Sequence, residues 1–261
     1  MKWFSRYCML LLCLSVLSCG DDNEPVDDGG DGDGTEELKS YSVGDICEVG
    51  GVKGVVFSVG NTITRTAGKV PYKEGMAISV DEARLVWSTV DEVLEDCKNI
   101  SGEENCKKIK AKANWENHYP ALKWVEDKNK DLKPGDDKWY LPSSEELGEF
   151  FLIYYGIPEG KTLQTVNVEN KNKLDKKFAD GGGYGITTLN DRAFKEYWTS
   201  TTETKVARSG ASLEEDITYT WVTYLNWGDV SFYGYGASAR ETNKSDTHYV
   251  RAVCKLKVKA N

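Results

Sequence analysis

The residues best suited to contact a small molecule follow one another in the run Leu-Asn-Trp-Gly-Asp-Val at 225–230, with further aromatic residues shortly after it. Flat aromatic rings stack on the C–H faces of sugars, and neighbouring amide and carboxylate groups hydrogen-bond to polar ligand groups. The candidate ligand-binding residues are therefore Asn226, Trp227, Asp229, Tyr233 and Tyr235. The alternative is a structural hairpin that turns at Gly228 and packs Trp227 inward.

The sequence carries no recognisable motif for catalysis or metal binding. Its two histidines, His118 and His248, do not stand in the His-Glu-x-x-His spacing that places two zinc ligands on one helix face. There is no Gly-x-Ser-x-Gly elbow and no phosphate loop, and the glycine run at 181–185 lacks the preceding strand of a nucleotide-binding fingerprint. We therefore expect no catalytic residue, no metal site and no cofactor, and we expect that the chain is not an enzyme.

Four cysteines remain when the N-terminal segment is set aside, namely Cys47, Cys97, Cys106 and Cys254. Four cysteines allow three pairings, and pairing is the normal outcome in an oxidising compartment. Cys97 and Cys106 flank a short polar stretch, which favours a local disulfide between them. A second disulfide would then join Cys47, near the start of the domain, to Cys254, near its end.

The N-terminus has the layout of a secretory signal: two basic residues within 1–6, an apolar stretch over 7–17, then Ser18 and Cys19. The stretch is too short to cross a bilayer, which takes roughly 20 residues. Val-Leu-Ser-Cys at 16–19 resembles the lipobox of bacterial lipoproteins, and this resemblance implies lipidation at Cys19. The alternative is an ordinary signal peptide cleaved nearby.

Residues 20–38 contain nine acidic side chains and no basic one, so the net charge of -9 is concentrated there. We expect residues 1–18 to be a signal peptide, 19–38 a lipidated cysteine with a disordered acidic tether, and 39–261 a single domain. The acidic residues after Cys19 resemble the export signal of Bacteroidetes surface lipoproteins. That resemblance implies a lipid anchor in the outer membrane, with the domain facing the cell exterior. The domain itself is nearly neutral, so no nucleic-acid partner is expected.

Periodicity and turn residues predict the elements of the domain. Gly50-Gly51 between two β-rich runs predicts a hairpin over 46–59, and further strands are expected at 76–80, 84–87, 197–201, 217–225, 230–233 and 248–258. Ser101 with Glu104, and Ser143 with Glu146, have capping-box spacing in front of two helices. A lysine-rich helix is expected over 166–180, ending at a run of glycines. Arg251, flanked by Val250 and Ala252, is expected to pair with a buried carboxylate, and the alternative is contact with a ligand.

Five sequence blocks occur in an order and spacing that we associate with one family. They are Gly54-Val-Val-Phe57, Tyr119-Pro-Ala-Leu-Lys-Trp124, Trp139-Tyr-Leu-Pro-Ser-Ser-Glu-Glu-Leu147, Tyr197-Trp-Thr-Ser-Thr201 and Tyr249-Val-Arg-Ala-Val253. They resemble a family of domains of unknown function that is common in Bacteroidetes lipoproteins and similar to the C-terminal domain of collagen-like surface adhesins. The resemblance implies an α+β, C-type-lectin-like fold, distantly related to the formylglycine-generating enzyme. It has mixed or antiparallel sheets, two or three flanking helices, and paired N- and C-terminal strands.

The family resemblance also frames the expected function. Relatives that are enzymes bind copper through two nearby cysteines close to the C-terminus, whereas this sequence has Cys254 alone there. An oxygen-dependent enzyme is therefore the least favoured hypothesis. The main expectation is a lipid-anchored cell-surface binding or adhesion module whose ligand is an unknown surface glycan or protein. The alternative is an accessory or tip subunit of a surface fibre or uptake complex that acts through protein contacts.

Overall fold

Alternation of apolar and polar residues produces ten strands in the part of the chain described by the computed structural model. The described residues are 38–63, 72–90, 97–98, 101–157, 167–186, 195–208, 216–226, 238–242 and 246–260. The strands are β1 Ile46–Val49, β2 Val52–Ile63, β3 Tyr72–Ser79, β4 Ala83–Val86, β5 Trp139–Tyr140, β6 Tyr197–Arg208, β7 Asp216–Asn226, β8 Ser238–Thr242, β9 Thr247–Val250 and β10 Val253–Lys259. The helices are α1 Gly102–Lys110, α2 Trp115–His118, α3 Pro120–Glu126, α4 Ser144–Tyr154 and α5 Val168–Asp180.

The first sheet is antiparallel, with strand order β1-β2-β3-β10-β5. Its opening hairpin confirms the sequence prediction, since Gly50 and Gly51 have φ values of 58° and 75°. Positive φ at both central residues is typical of the turn whose twist matches that of the flanking strands, and glycine adopts it without steric cost. The hairpin therefore follows from local chemistry.

The second sheet has the order β4-β9-β6-β7-β8. Its pairs are antiparallel except that β6 runs parallel to β9, where Tyr197 lies beside Tyr249. The single strand predicted over 248–258 is wrong in one respect, because the chain leaves β9 at Val250 and enters β10 at Val253. Those two strands belong to different sheets, so Arg251 and Ala252 form the crossing between them. The overall class is α+β, as expected.

The helical content exceeds the two or three flanking helices that were expected. The described residues contain five α-helices and one short 3-10 helix at Asp127–Asn129, and α2 and α3 have only four and seven residues. The capping box of α4 is confirmed, because Ser143 accepts from the Glu146 amide and Glu146 bonds back to the Ser143 amide. The lysine-rich helix is also confirmed as α5, which ends at Gly181.

The predicted capping box of α1 is wrong. Ser101 occupies the N-cap position without forming a side-chain cap. The Gly102 amide donates instead to Glu146 Oε2 over 3.0 Å, and the Ser143 amide donates to the same oxygen over 2.9 Å. Tyr140 donates its hydroxyl to Glu146 Oε1 over 2.9 Å. One buried carboxylate therefore caps two helices that are distant in sequence.

Aromatic side chains fill much of the core between the sheets and helices. The apolar face of α4, with residues three and four positions apart, is buried in full: Leu147, Phe150, Phe151 and Tyr154. Alternation along β6 predicts that one of Tyr197 and Trp198 faces solvent, yet both are buried. Their strand is covered on both faces, because Tyr197 packs against Phe151 while the Trp198 indole donates to Leu85 O. Alternation alone does not distinguish a strand covered on one face from a strand covered on both.

The expectation that the N- and C-terminal strands pair is wrong. β1 pairs with β2, whereas β10 lies between β3 and β5. The two ends of the domain still meet, because the Lys259 amide donates to Lys39 O over 2.8 Å. Among the described residues, no helix is both long and apolar enough to cross a membrane.

Candidate functional site

Of the predicted ligand-binding residues, the structure describes Asn226, which lies at the end of the second sheet. Asn226 is the last residue of β7 and pairs with Ser238, the first residue of β8. Trp227, Asp229, Tyr233 and Tyr235 lie between these positions and outside the described residues, as does the lipidation candidate Cys19. Tyr197, the first residue of β6, pairs with Leu225, which lies one residue before the end of β7. We call this end of the sheet, with residues 182–186 and 195–197 beside it, the rim.

Arg251 is the central buried residue of the rim. Its guanidinium has five N–H donors, and each has an acceptor. Nε and Nη2 donate to Glu82 Oε2 over 3.1 and 2.8 Å. Nη1 donates to Ser79 O and Val80 O over 2.8 and 3.0 Å, and Nη2 donates to Tyr184 O over 2.5 Å. The buried carboxylate partner expected from the sequence is therefore Glu82.

Glu82 joins three elements of the rim through its two oxygens. Lys195 Nζ forms an ion pair with Oε1, and Tyr197 donates its hydroxyl to Oε2 over 2.8 Å. The Glu82 and Lys195 side chains are only 7% and 9% exposed. Burial raises the pKa of the Tyr197 hydroxyl well above its usual value, so the phenol stays protonated and donates. The cluster is directed inward, and it fixes the crossing between the sheets rather than presenting a reactive group.

The same cluster holds the glycine-rich turn after α5. Tyr184 O accepts from Arg251, Gly185 O accepts from Lys195 over 2.9 Å, and the Ile186 amide donates to Asp175 Oδ1 over 3.2 Å. Three successive residues are thus fixed through their backbone, while the Tyr184 residue is 73% exposed. Sequence reasoning tested this glycine run as a nucleotide motif and missed Tyr184, Glu82 and Lys195. A tyrosine inside a run of glycines was the available signal.

The two histidines lie in separate structural settings. His248 Nδ1 lies 2.9 Å from Glu196 Oε2, and the imidazole packs edge-on against Trp198. Burial lowers the pKa of His248, although the neighbouring carboxylates of Glu196 and Asp246 oppose this shift. His118 packs edge-on against Tyr119 beside α3. Within the described ranges, no group of three His, Cys, Asp or Glu side chains could hold a metal ion.

The four domain cysteines occur as buried thiols, so the two predicted disulfides are not formed. Cys47 pairs with Gly54 on β2, and Cys254 pairs with Ala77 on β3. Strands β2 and β3 lie between β1 and β10 in the order of the sheet. The Trp139 indole on β5 donates to Val49 O on β1 over 3.1 Å. Cys47 and Cys254 are separate buried thiols in this sheet, so the predicted Cys47–Cys254 disulfide is not formed.

The second predicted disulfide is also absent. Cys97 Sγ lies 4.0 Å from Asn105 O, whereas Cys106 Sγ is directed at Leu141 O over 3.5 Å. Burial raises the pKa of Cys47 to about 11 and raises that of Cys106 and Cys254 further. These thiols behave as small apolar core groups and are poor nucleophiles.

Comparison with known proteins does not assign the chain to a family. No protein-family model matches it, and no curated protein matches it. A solved structure of a fimbrial protein from Bacteroides ovatus is similar over 70% of this chain, with 14% sequence identity and a TM-score of 0.41. The matched region spans 35% of the length of that protein. This likeness is too distant to assign a fold family or a function.

Proposed function

We propose that this chain is a lipid-anchored cell-surface binding or adhesion module that recognises a glycan or a protein and has no catalytic activity. The observation that supports binding is the arrangement of residues at the rim. A buried cluster of charged residues there bonds to the backbone around Tyr184, whose side chain is exposed. Asn226 and Ser238, which precede and follow the candidate aromatic residues in the sequence, are paired with each other. Binding residues commonly lie on loops that a rigid scaffold positions.

A C-type-lectin-like fold is part of the proposal. Two sheets with helices beside them, and the contact between Lys39 and Lys259 where the domain begins and ends, are consistent with it. The separation of β1 from β10 is a departure from the expected pattern. An experimental structure of this chain tests this part of the proposal. Its strand order should match that of superposed lectin-like domains, and a different strand order would contradict the lectin-like fold.

The proposed lipid anchor and cell-surface location rest on the sequence around Cys19. Metabolic labelling with a fatty-acid analogue should mark the full chain and should fail for Cys19→Ala. Labelling of intact cells with an impermeant reagent should then reach the domain. Unchanged lipid labelling of Cys19→Ala would contradict lipidation, and protection from the reagent would contradict exposure at the surface.

Binding is tested with the full-length chain purified in detergent micelles and applied to glycan and host-matrix arrays. Reproducible binding to one class of ligand is the expected result. Arrays that stay blank, with protein that is folded by circular dichroism, would count against recognition of sugar or matrix.

A second candidate function is a subunit of a surface fibre or uptake complex. The observation that favours it is the position of β8, which is an edge strand among the strands described. An edge strand presents unpaired backbone groups that a strand from another chain can join. Crosslinking on intact cells should then recover one constant surface partner, and recovery of the chain alone would contradict this candidate.

A further inference from the structure

Tyr184 combines an exposed side chain with a backbone that is held at three successive residues. Most of the tyrosine remains in contact with water, although its carbonyl oxygen and the two residues after it are bonded to the buried side chains of Arg251 and Lys195 and to the half-buried Asp175. A ring on such a turn loses little conformational freedom when it meets a ligand, which is the condition for an efficient anchor.

The surface beside Tyr184 continues to the edge of the second sheet. Lys195 Nζ lies 6.0 Å from the centroid of the Tyr184 ring and 5.0 Å from that of Tyr249. Arg84, on the edge strand β4, pairs directly with Tyr249, so both side chains lie on the same face of the sheet. Tyr249 is half-buried and Arg84 is exposed. Aromatic and cationic groups therefore alternate along this face.

Arg84 is the exposed cation of this surface. The Lys195 and Arg251 side chains are buried, and both pair with the Glu82 carboxylate. The nearby carboxylates have their own partners: Glu196 is turned to His248, and Asp175 pairs with Lys171. A ligand that brings its own negative charge can pair with Arg84, which favours it over a neutral one.

We propose that Tyr184, Tyr249 and Arg84 form a subsite for an acidic sugar, a saccharide ring that bears a carboxylate. The Tyr184 ring stacks on the C–H face of the sugar, the Arg84 guanidinium pairs with the carboxylate, and Lys195 positions Tyr184 from below. The inference rests on the proposed binding function and assigns a ligand class to this part of the rim. One exposed ring beside one exposed cation matches a single sugar unit better than a peptide, which would need an extended groove or a free strand edge.

The test measures affinity of the full-length chain in detergent micelles for two matched pairs of probes. Galacturonic acid oligomers are compared with galactose oligomers of the same length, and sialyllactose is compared with lactose. We expect at least one acidic probe to bind roughly tenfold more tightly than its neutral counterpart. Added salt should weaken that difference, because it screens exposed charges.

Variants then locate the site. Tyr184→Ala should lower the affinity for the acidic probe by about tenfold. Tyr184→Phe keeps the ring, so its affinity should stay within about twofold of that of the parent chain. Arg84→Gln should remove the preference for the acidic probe over the neutral one. Val168→Ala is the matched control, since Val168 is 60% exposed and lies on α5. Its affinity should equal that of the parent chain.

Three outcomes overturn the inference: equal affinity for acidic and neutral probes, no binding of either acidic probe, or unchanged affinity in Tyr184→Ala. If the chain nevertheless binds a protein or a neutral glycan on the arrays, and Tyr184→Ala leaves that binding intact, the proposed function stands and this subsite falls. If the arrays and both acidic probes stay blank, the proposed function and the subsite fall together.

Discussion

Replacing Arg251 by lysine keeps the positive charge but changes the geometry of the donors. The guanidinium serves Glu82 and three backbone carbonyl oxygens with five N–H groups. An ammonium has three N–H groups and no planar fork. Arg251→Lys therefore leaves at least two of these buried hydrogen bonds without a donor.

The expected cost follows from the groups that lose a partner. A buried polar group left without its hydrogen bond costs about 1–3 kcal/mol. We expect Arg251→Lys to lower the free energy of unfolding by about 2–4 kcal/mol, a large share of the 5–15 kcal/mol typical of a domain. Arg251→Ala should cost more, because removing one partner of a buried ion pair costs about 3–5 kcal/mol before the three carbonyls are counted.

Urea denaturation followed by tryptophan fluorescence measures these differences. Arg84→Lys is the matched control, since it makes the same substitution at an exposed position and should change stability by less than about 0.5 kcal/mol. The dependence of the free energy on urea concentration should stay the same, so that the shift in midpoint reports stability. A double-mutant cycle with Glu82→Gln should give coupling of about 1–3 kcal/mol.

One result would refute the reasoning. If Arg251→Lys costs no more than Arg84→Lys, and the cycle with Glu82→Gln shows no coupling, the guanidinium does not hold the crossing between the sheets. The positioning of Tyr184 would then need another cause.

Further predictions concern the shared cap, its titration and the buried thiols. Glu146→Ala should cost about 2–4 kcal/mol, because it leaves two helix-terminal amides unbonded, whereas Glu146→Gln keeps a carbonyl acceptor and should cost less in the same denaturation assay. Burial raises the pKa of Glu146, so its protonated form favours the folded state. This contribution is full below the ordinary glutamate pKa and is lost as pH rises through the raised value, and Glu146→Gln should abolish that pH dependence. Cys47 and Cys254 should resist alkylation in the native chain and react after denaturation, and rapid native labelling would contradict their burial. Non-reducing peptide mapping should recover no Cys47–Cys254 peptide, and its recovery would contradict their occurrence as separate thiols.

Several features could be predicted from the sequence because local chemistry determines them. The hairpin at Gly50-Gly51 requires positive φ, which glycine adopts without strain. The capping box at Ser143 and the apolar face of α4 depend on residues three and four positions apart. The end of α5 also has a local cause, because the helix stops at a run of glycines in which Gly182 has a φ of 90°. The signal peptide, the lipidation of Cys19 and the acidic tether lie outside the described residues and stay predictions from the sequence.

The candidate site could be predicted only in part. Spacing suggested a buried carboxylate for Arg251, but it could not select Glu82, which lies 169 residues away. The capping box expected at Ser101 was wrong because Glu146, 44 residues from Gly102, occupies that role. Which carboxylate reaches a given amide is set by packing across the whole chain, and no sequence window contains both partners.

By itself, the sequence determined the elements whose causes lie within a few residues: the glycine turn, the capping box of α4 and the apolar face of that helix. The tertiary structure alone decided that the chain changes sheets at Arg251-Ala252, that Cys47 and Cys254 are buried as separate thiols, and that Tyr184 stays exposed on a fixed turn. The physical reason is that strand order and the burial of charge are non-local. They depend on which distant segments satisfy one another's backbone and ionic groups, and the spacing of residues along the chain does not record that choice.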